Sequence, residues 1–260
     1  NSIFLSNINY ANVLSLIFLS NIKNLKIITV DRTPIQELNF NYYNFILFIK
    51  NLIIKYLIKY TYNKAYARIG NSKTLSDDLA KFSKTKFLTI YPYTIKKVKN
   101  FKIKKINPNK ITKIIWIGRL SKEKSLITLI DAINRIKEEN LIVKIYGNGP
   151  EKLKYLKKVK KFDLNEKIQF FGHRTNIDKY FKNSDLYVST SFYEGFQNSM
   201  IEAINNNIPV ISANSFGGTM DILKKNKFGF TYNIGDDYHL SILIKNYIKN
   251  PKNFVEKAKL

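Results

Sequence analysis

The chain has 260 residues, 45% of them hydrophobic, and it carries 44 Lys and Arg against 19 Asp and Glu, a formal net charge of +25. This hydrophobic share excludes a disordered chain, and the length is typical of about two domains. The lack of cysteine excludes disulfides, thiolate metal sites and a cysteine nucleophile, and it fits a reducing compartment.

The front part of the chain is the more basic. Residues 1–110 contain 19 Lys and Arg against 4 Asp and Glu, whereas residues 111–260 contain 25 against 15. Lys, Asn, Ile and Tyr are abundant everywhere, so compositional bias alone is one interpretation. The other is attraction to an anionic partner, such as a lipid surface, a phosphorylated acceptor or nucleic acid. With two distant histidines and no acidic cluster, we expect no protein-held metal.

The first residues, NSIFLSNINY, have no initiator Met and no signal-peptide pattern, which is typical of a fragment. Short β-rich runs predict strands at LKIITV (25–30), YARIGNS (66–72) and KFLTIY (86–91).

A long apolar, tyrosine-rich segment at residues 39–67 predicts a helix of several turns. Asn51, Lys55 and Lys59 form a narrow polar stripe along it. Lysines interrupt every window long enough to span a membrane. Two interpretations remain, a core helix or a helix that docks on a membrane surface.

Residues 91–110, YPYTIKKVKNFKIKKINPNK, contain seven lysines, two prolines and no acid. Proline restricts the residue before it to extended backbone, so this segment is typical of a linker. We therefore predict a first domain over 1–91, a linker over 92–110 and a second domain over 111–260.

After the linker, strand and helix signals alternate regularly to the end of the chain. Such alternation predicts right-handed βαβ crossovers and hence an α/β fold with a parallel sheet covered by helices on both faces. Open sheets of this kind bind ligands outside the carboxyl ends of their strands. The predicted strands are TKIIWIG, LIVKIYG, KIQFFG, DLYVSTS, IPVISA and FGFTY.

The segment GRLSKEKSL (118–126) follows the first of these strands. Arg119 comes directly after the strand and Lys124 stands near the start of the next helix, so both can reach the same crevice. A guanidinium grips phosphate oxygens bidentately and a lysine adds a compact second charge. Ordinary solvated side chains are the alternative in a chain this rich in lysine.

The segment SFYEGFQNSMIEA (191–203) follows a later strand. Glu194 lies in the turn before Gly195, and Glu202 falls on the second turn of the following helix. The helix start near residues 197–199 offers unpaired N–H groups to an anion or hydroxyl, and carboxylates accept hydrogen bonds from paired hydroxyls. The alternative is a capping box, in which Ser199 and Glu202 only stabilise the helix start.

The segment SFGGTMDIL (215–223) has the same strand-to-helix arrangement. Gly217 and Gly218 would let the backbone approach a ligand. A lone Gly-Gly pair is weak support, because any tight turn can use it.

The stretch 113–237 resembles the donor-binding domain of retaining family 4 glycosyltransferases of GT-B architecture. The motifs, in the family's order, are IGRLSKEKSLITLIDA, YGNGP, FFGHRTNIDKYFKNSDLYVSTS, YEGFQNSMIEAINNNIPVIS and GG before DIL. They are most similar to the branch that builds bacterial surface polysaccharides and lipid-linked oligosaccharides. Residues 1–91, with VDRTP (30–34) and YARIGNSKTLSDDL (66–79), resemble the second part of the N-terminal domain. The resemblance implies GT-B architecture with two Rossmann-like domains, the first incomplete.

The resemblance also implies roles for particular residues. Arg119 and Lys124 would hold the donor's diphosphate, Glu202 the nucleotide ribose, and Glu194 would face the transferred sugar. It assigns catalysis to Arg119, Lys124 and Glu194. The donor-binding set comprises Gly118, Arg119, Lys124, Gly172, His173, Glu194, Gly195, Phe196, Gln197, Asn198, Ser199, Glu202, Gly217 and Gly218.

Several positions depart from the family pattern. Ser125 stands where glycine is common, Gln197 and Asn198 stand where the family often has proline, and Asp221 replaces a frequent glutamate. Asn207 replaces a turn glycine, and asparagine tolerates left-handed backbone. These changes leave the transferred sugar open.

The function implied is a retaining, metal-independent transfer of a hexosyl or N-acetylhexosaminyl group without a cofactor. The donor would be a nucleotide-diphosphate sugar, with UDP weighted by the family, and the acceptor a growing glycan or lipid-linked saccharide. The expected location is cytoplasmic, with peripheral contact to an anionic membrane, in cell-envelope or lipopolysaccharide synthesis. The alternatives are a catalytically incompetent nucleotide-sugar binder and, more distantly, a basic nucleic-acid binder.

Overall fold

The structure is a computed structural model that describes residues 2–39, 45–95, 98–99, 111–224 and 226–257. Contacts divide the chain into two units. Unit 1 comprises Asn1–Pro92, Tyr193–Phe196 and Phe216–Asp221. Unit 2 comprises Tyr93–Phe192, Gln197–Ser215 and Ile222–Leu260. Most of the predicted linker, residues 96, 97 and 100–110, lies outside the described residues.

Strands and helices follow one another along both units. The strands are β1 (Ser2–Asn7), β2 (Leu25–Asp31), β3 (Ala67–Gly70), β4 (Leu88–Thr89), β5 (Thr112–Ile117), β6 (Leu141–Tyr146), β7 (Ile168–Gly172), β8 (Leu186–Ser189), β9 (Tyr193–Glu194), β10 (Val210–Ala213), β11 (Phe216–Gly217) and β12 (Phe230–Tyr232). The helices are α1 (Asn9–Leu19), α2 (Phe45–Thr61), α3 (Lys73–Ser83), α4 (Leu126–Arg135), α5 (Lys152–Lys161), α6 (Asp178–Lys182), α7 (Asn198–Asn205), α8 (Thr219–Leu223), α9 (Asp237–Lys249) and α10 (Pro251–Lys257).

Unit 1 contains a parallel sheet of order β1-β2-β3-β4, in which Ser2 pairs with Leu25 and Ile28 with Ala67. The β-rich runs of the sequence predict β2, β3 and β4, and the structure confirms all three, with β3 and β4 shorter than predicted. The core of this unit lies between the sheet and the helices α1 and α2. Its buried members are Val13, Leu16, Ile27, Leu38, Ile54, Ile58, Tyr62 and Ala65.

A polar cluster is buried at the carboxyl end of β2. The Asp31 carboxylate accepts hydrogen bonds from the Asn12 amide at 3.1 Å and from the Tyr62 hydroxyl at 2.9 Å. Burial raises the pKa of Asp31 to about 7, although these two hydrogen bonds oppose the shift. A carboxyl group in this position is therefore costly to ionise.

Helix α2 packs one side into the core of unit 1, as the core-helix interpretation predicts, and this buried side is mixed, with Asn51 and Thr61 beside Ile54 and Ile58. Asn51 is buried and donates from its amide to the carbonyl of Leu38 at 3.2 Å. Ile54 and Ile58 pack beside it, while most of the other apolar side chains are exposed. Among the described residues, no helix combines the length and hydropathy that crossing a membrane requires.

Unit 2 contains a parallel sheet of order β12-β10-β8-β5-β6-β7, as the alternating sequence pattern predicts. Successive residues of β5 face opposite sides: Ile114 and Trp116 belong to one buried cluster, and Ile115 belongs to the other. Both faces are therefore covered, which explains why these strands are continuously apolar. The chain leaves β5 toward β6 and later returns to its other side as β8, so the topological switch point lies between β5 and β8.

Candidate functional site

A cavity of about 490 Å³ lies in unit 2, where the chain leaves β5, β6 and β7. This is the edge at which an open parallel sheet binds ligands. Three predicted site residues, Gly118, Arg119 and His173, line the cavity. The other lining residues are Ile117, Tyr146, Gly147, Asn148, Arg174 and Ile177.

Backbone hydrogen bonds hold the strand ends around the cavity together. Gly118 N–H donates to the carbonyl of Tyr146 at 3.1 Å, and Gly147 N–H donates to that of Gly172 at 2.9 Å. Gly147 has φ +148°, and a Cβ atom there would collide with the carbonyl oxygen of Gly118. The cavity floor therefore depends on a direct approach of two backbones that only glycine permits.

The cation after β5 is available to a ligand. Arg119 is exposed, and its guanidinium makes no hydrogen bond or ion pair within the residues that the structure describes. Lys124 is half-buried at the end of a short 3₁₀ turn, Lys122–Lys124, just before α4. Ser125 adopts left-handed backbone with φ +44°, so it occupies the conformation that glycine favours at this family position.

The loop after β5 is tied to the end of β8 across the switch point. Thr190 donates from its hydroxyl to the carbonyl of Lys124 at 2.6 Å and accepts from the Trp116 indole N–H at 3.0 Å. Phe192 N–H donates to the carbonyl of Glu123 at 2.8 Å. These bonds fix the position of Lys124 relative to the residues that directly follow β8.

Helix α7 starts without the capping box that the sequence allows. Its N-cap is Gln197, whose buried side chain donates to the Ser189 hydroxyl. Ser199 lies inside the helix, and its hydroxyl shares a hydrogen bond with the Tyr187 hydroxyl at 2.8 Å. The capping-box alternative for Ser199 and Glu202 is therefore wrong. Asn198, the first helical residue, is exposed and accepts from the Thr94 hydroxyl at 3.0 Å.

Glu202 is half-buried on α7, and its carboxylate forms no hydrogen bond or ion pair within the described part of the chain. Burial raises the pKa of Glu202, and the nearby negative charge of Asp178 adds to the effect. Asp178 itself is held by Lys99 at 2.9 Å and Asn206 at 3.0 Å. A half-buried carboxylate without a protein partner suits a hydroxyl-bearing ligand.

The remaining predicted site residues, Glu194, Gly195, Phe196, Gly217 and Gly218, fall in unit 1 by their contacts. Strands β9 and β11 pair in parallel, and Gly218 N–H donates to the carbonyl of Glu194 at 3.1 Å. Phe196 packs its ring against Tyr91 at 5.5 Å between centroids.

Close backbone packing accounts for the glycines of this group. A Cβ atom on Gly195 would collide with the carbonyl of Arg32, and one on Gly217 would collide with that of Glu194. Asp221 accepts hydrogen bonds from the backbone N–H and the hydroxyl of Thr74, the former at 3.0 Å. The roles of Glu194 and the glycines toward a ligand stay predictions.

Sequence reasoning missed several cavity residues, including Tyr146, Asn148 and Arg174. Tyr146 and Asn148 belong to the motif YGNGP, whose two glycines directly after a strand could have indicated a ligand site there. Tyr146 packs against the rings of Phe171 at 5.2 Å and Tyr180 at 4.5 Å, so its position depends on tertiary packing.

The family model described as glycosyl transferases group 1 matches residues 97–260, more than half of the chain. The chain belongs to this family. The match covers the cavity, Arg119, Lys124 and helix α7.

Other glycosyl transferases are similar to this group 1 chain at the sequence level. An N-acetylgalactosaminyltransferase of Campylobacter jejuni, named for a diphospho-undecaprenol acceptor, is 27% identical over 80% of this chain and 58% of its own length. The poly(glycerol-phosphate) alpha-glucosyltransferase of Bacillus subtilis is 28% identical over 69% of this chain and 28% of its own. The chain thus spans only part of the curated relatives that it matches.

Solved structures give the same fold for this group 1 chain. Staphylococcus aureus TarM, solved in complex with UDP among other molecules, has a TM-score of 0.75 at 24% identity, covering 95% of this chain and 49% of that one. Anabaena HepE in complex with UDP has a TM-score of 0.75 at 20% identity, covering 99% and 71%. The GT-B architecture with Rossmann-like domains is confirmed.

Proposed function

We propose that this protein transfers a sugar from a nucleotide-diphosphate donor, a UDP-sugar, to a growing bacterial glycan. The observation that carries the proposal is the cavity at the carboxyl ends of β5, β6 and β7, with the guanidinium of Arg119 on its wall and without a partner among the described residues. Cavities at this edge of an open sheet are the usual place for nucleotides. UDP in the structures of TarM and HepE supports the choice of base.

In this proposal, Arg119 and Lys124 stabilise the diphosphate as it leaves. Cleavage of the bond between the anomeric carbon and the phosphate oxygen puts negative charge on the leaving group, and fixed cations lower the energy of that transition state. Bidentate contact by the guanidinium also orients the phosphates. The backbone N–H groups at the start of α7 add positive potential of the same kind.

The two glutamates are proposed to hold the donor through its hydroxyl groups. Glu202 would accept hydrogen bonds from the ribose, and Glu194 would face the transferred sugar. Such bonds to a charged acceptor are stronger than neutral ones, so they position the anomeric carbon before reaction. His173 and the backbone of Gly172 would contact the base.

We propose that transfer proceeds with retention and without a metal ion. Two relatives are named for alpha linkages, which corresponds to retention when the donor is an α-linked UDP-sugar. Among the described residues, no group of three or more His, Cys, Asp or Glu is placed to hold a metal. The metal-independence is tested directly, since UDP affinity should be unchanged when EDTA is added.

The proposed acceptor is a lipid-linked saccharide or an envelope polymer, at the cytoplasmic face of the membrane. The Campylobacter relative is named for a lipid diphosphate acceptor, and the Bacillus relative for a glycerol-phosphate polymer. Both names describe anionic acceptors, which fits the strongly basic composition of this chain.

The test is calorimetric titration of the chain with UDP, GDP and their common sugars. Arg119→Ala and Glu202→Ala should each weaken UDP-sugar binding about tenfold or more, because a charge-assisted contact contributes roughly 1.5–3 kcal/mol. Arg135→Ala and Glu138→Ala are matched controls on exposed positions of α4 and the turn after it, and neither should change affinity.

Equal affinity in wild type and both site variants would contradict the site assignment. Tight binding without release of UDP from any sugar in the presence of lipid-linked acceptors would favour the incompetent nucleotide-sugar binder instead. A steep salt-dependent affinity for oligonucleotides, without selectivity for nucleotide sugars, would favour the nucleic-acid alternative.

A further inference from the structure

One face of helix α2 is both apolar and exposed. The side chains of Phe45, Ile49, Leu52, Ile53, Tyr56 and Tyr60 all point outward, with exposures of 75% for Phe45, 52% for Ile53 and 61% for Tyr56. At 100° per residue, these positions fall within a stripe about 100° wide. We call these six residues the outer face of α2.

The opposite side of the same helix packs against the core of unit 1. Asn51, Ile54, Ile58 and Thr61 are buried, and they lie on the side opposite to the outer face. Asn51 accepts a hydrogen bond from the Tyr10 hydroxyl at 3.0 Å, which fixes how the helix is turned. The outward direction of the apolar stripe is thus set by specific contacts rather than by poor packing.

Lysines border the outer face on both sides. At 100° per residue, Lys50 lies on one side of the stripe, whereas Lys55 and Lys59 lie on the other. Lys50 places its ammonium 4.1 Å from the ring centre of Tyr10, and its side chain is exposed. From Glu37 to Asp77 the sequence contains no other acidic residue, so no negative side chain of this stretch opposes the lysines.

An open groove of about 300 Å³ adjoins the outer face. It is lined by Tyr10 of α1 together with Ile46, Ile49, Lys50, Ile53 and Ile54 of α2. Its walls are almost entirely aliphatic and aromatic, with one cation at the rim. Such a surface accepts hydrocarbon next to a negative charge, which is the chemistry of an anionic lipid.

We infer that the outer face of α2 docks on a bilayer that contains anionic lipids, with the helix lying in the plane of the interface. An apolar stripe flanked by lysines is the pattern of interfacial helices, whose binding combines apolar burial with attraction to anionic headgroups. Tyrosines such as Tyr56 and Tyr60 suit the headgroup level, where a ring has one apolar and one hydrated end.

This inference deepens the proposed function, on which the choice of a membrane over another anionic partner rests. A glycosyltransferase acting on lipid-linked acceptors would meet them at the interface. The docking surface and the proposed UDP site involve separate residues, so each can fail without the other.

The experiment is flotation of the chain with vesicles of phosphatidylethanolamine and phosphatidylglycerol, compared with vesicles of phosphatidylcholine. The expected result is binding to the anionic vesicles only. Ile49→Ser with Ile53→Ser should weaken it about tenfold or more, because two aliphatic side chains are lost from the buried surface. Both positions are exposed, so the fold should survive, and an unchanged midpoint of thermal unfolding would verify this. Unchanged UDP affinity would show separately that the donor site is intact.

A matched control lies on α5, which also exposes leucine beside lysines. Leu153 is 72% exposed and is followed by Lys154. Leu153→Ser with Leu156→Ser should leave vesicle binding unchanged. Lys50→Gln with Lys59→Gln should reduce the preference for anionic vesicles severalfold and weaken its dependence on salt.

Three outcomes would overturn the inference. Equal vesicle binding by the Ile49→Ser, Ile53→Ser variant would show that another surface binds lipid, and loss in the α5 variant would identify it. Absence of binding to anionic vesicles would exclude docking. A dimer in sedimentation that becomes monomeric in the Ile49→Ser, Ile53→Ser variant would show that a second copy covers the face.

Discussion

The carboxyl ends of the parallel sheets of unit 1 and unit 2 are packed by different groups. In unit 2, the backbone of Gly147 packs directly against the backbone of Gly118. Apolar side chains cover both faces of the neighbouring strand β5. In unit 1, polar side chains fill the corresponding space, with Asp31, Asn12 and Tyr62 joined by buried hydrogen bonds. The first arrangement costs no buried charge, whereas the second places a carboxyl group where ionisation is unfavourable.

This difference teaches where hydrophobic periodicity is a safe guide. In unit 2 most apolar positions of the strands and of α4 are buried, so the sequence pattern and the core coincide there. In unit 1, helix α2 turns Asn51 inward and its apolar stripe outward. A pattern of apolar residues therefore identifies one face of a helix without saying which face is buried.

The largest loss of stability is expected for Gly147→Ala, which disrupts the close packing of Gly147 against the backbone of Gly118 in unit 2. The added methyl group collides with Gly118 and strains a φ of +148°, so unit 2 should lose about 4 kcal/mol or more. Guanidinium unfolding followed by fluorescence of Trp116, the single buried tryptophan of this unit, measures it.

The control is Gly235→Ala, at a glycine with φ +79° and nothing within 4 Å of the added methyl group. It should cost about 1 kcal/mol, from backbone conformation alone. Equal losses in the two variants would mean that the contact between Gly147 and Gly118 does not stabilise the cavity.

An intermediate loss of stability is expected when a buried leucine is replaced by alanine, and a smaller one when the leucine is exposed. Leu129 of α4 is fully buried in unit 2, whereas Leu52 of α2 is 44% exposed in unit 1. Leu129→Ala should cost about 3 kcal/mol through lost burial and the cavity left behind, and Leu52→Ala well under about 1 kcal/mol. Thermal and denaturant unfolding of both variants test this, and a larger loss for Leu52→Ala would show that α2 is packed in solution.

The smallest effect is expected for Asp31→Asn, and it depends on pH. Because the folded pKa of Asp31 is raised to about 7, the wild type binds this proton more tightly when folded, so its stability falls as pH rises from about 4 to about 7 and is level above that. Asn cannot ionise and keeps an acceptor for the Tyr62 hydroxyl.

At pH 8 the free energy of unfolding of the Asp31→Asn variant should therefore exceed that of the wild type by about 2 kcal/mol. The gain from removing the ionisable group is larger than this, but the additional amide N–H groups of Asn offset part of it. Hydrogen exchange of unit 1 peptides between pH 5 and pH 8 measures the difference. A variant that is less stable than the wild type at pH 8 would mean that the ionised carboxylate stabilises this unit.

Regular alternation made the fold of unit 2 predictable. Each predicted strand from TKIIWIG to FGFTY is present, because β-branched runs separated by helical periods specify βαβ units. In unit 1, β1, α1 and α3 were not predicted. Helix α1 is apolar on several sides and so lacks a clear period, whereas α3 has a Ser72 N-cap and buries Leu75 and Leu79 four residues apart, a signal that the sequence analysis did not use.

The candidate site was predictable where motifs stand at strand ends. Arg119 and Glu202 were predicted in this way, and the structure leaves both without protein partners within the described residues. Arg119 lines the cavity, whereas the role of Glu202 stays a prediction. The role of Ser199 could not be settled from S-x-x-E spacing, because Tyr187, twelve residues away, provides the competing hydrogen bond. Arg174 and Ile177 line the cavity because of the way in which the loop after β7 folds, and the local sequence does not predict that conformation.

Unit 1 is discontinuous along the chain, and this affects when it can finish folding. Its residues 193–196 and 216–221 are synthesised long after the sheet of β1 to β4, so the bonds between Thr74 and Asp221 close a loop of 147 residues. On the ribosome, the first sheet would have to wait for most of unit 2 to emerge before its last partners arrive. The exposed, lysine-bordered helix α2 would be present throughout that delay, when the nascent chain most needs protection from aggregation.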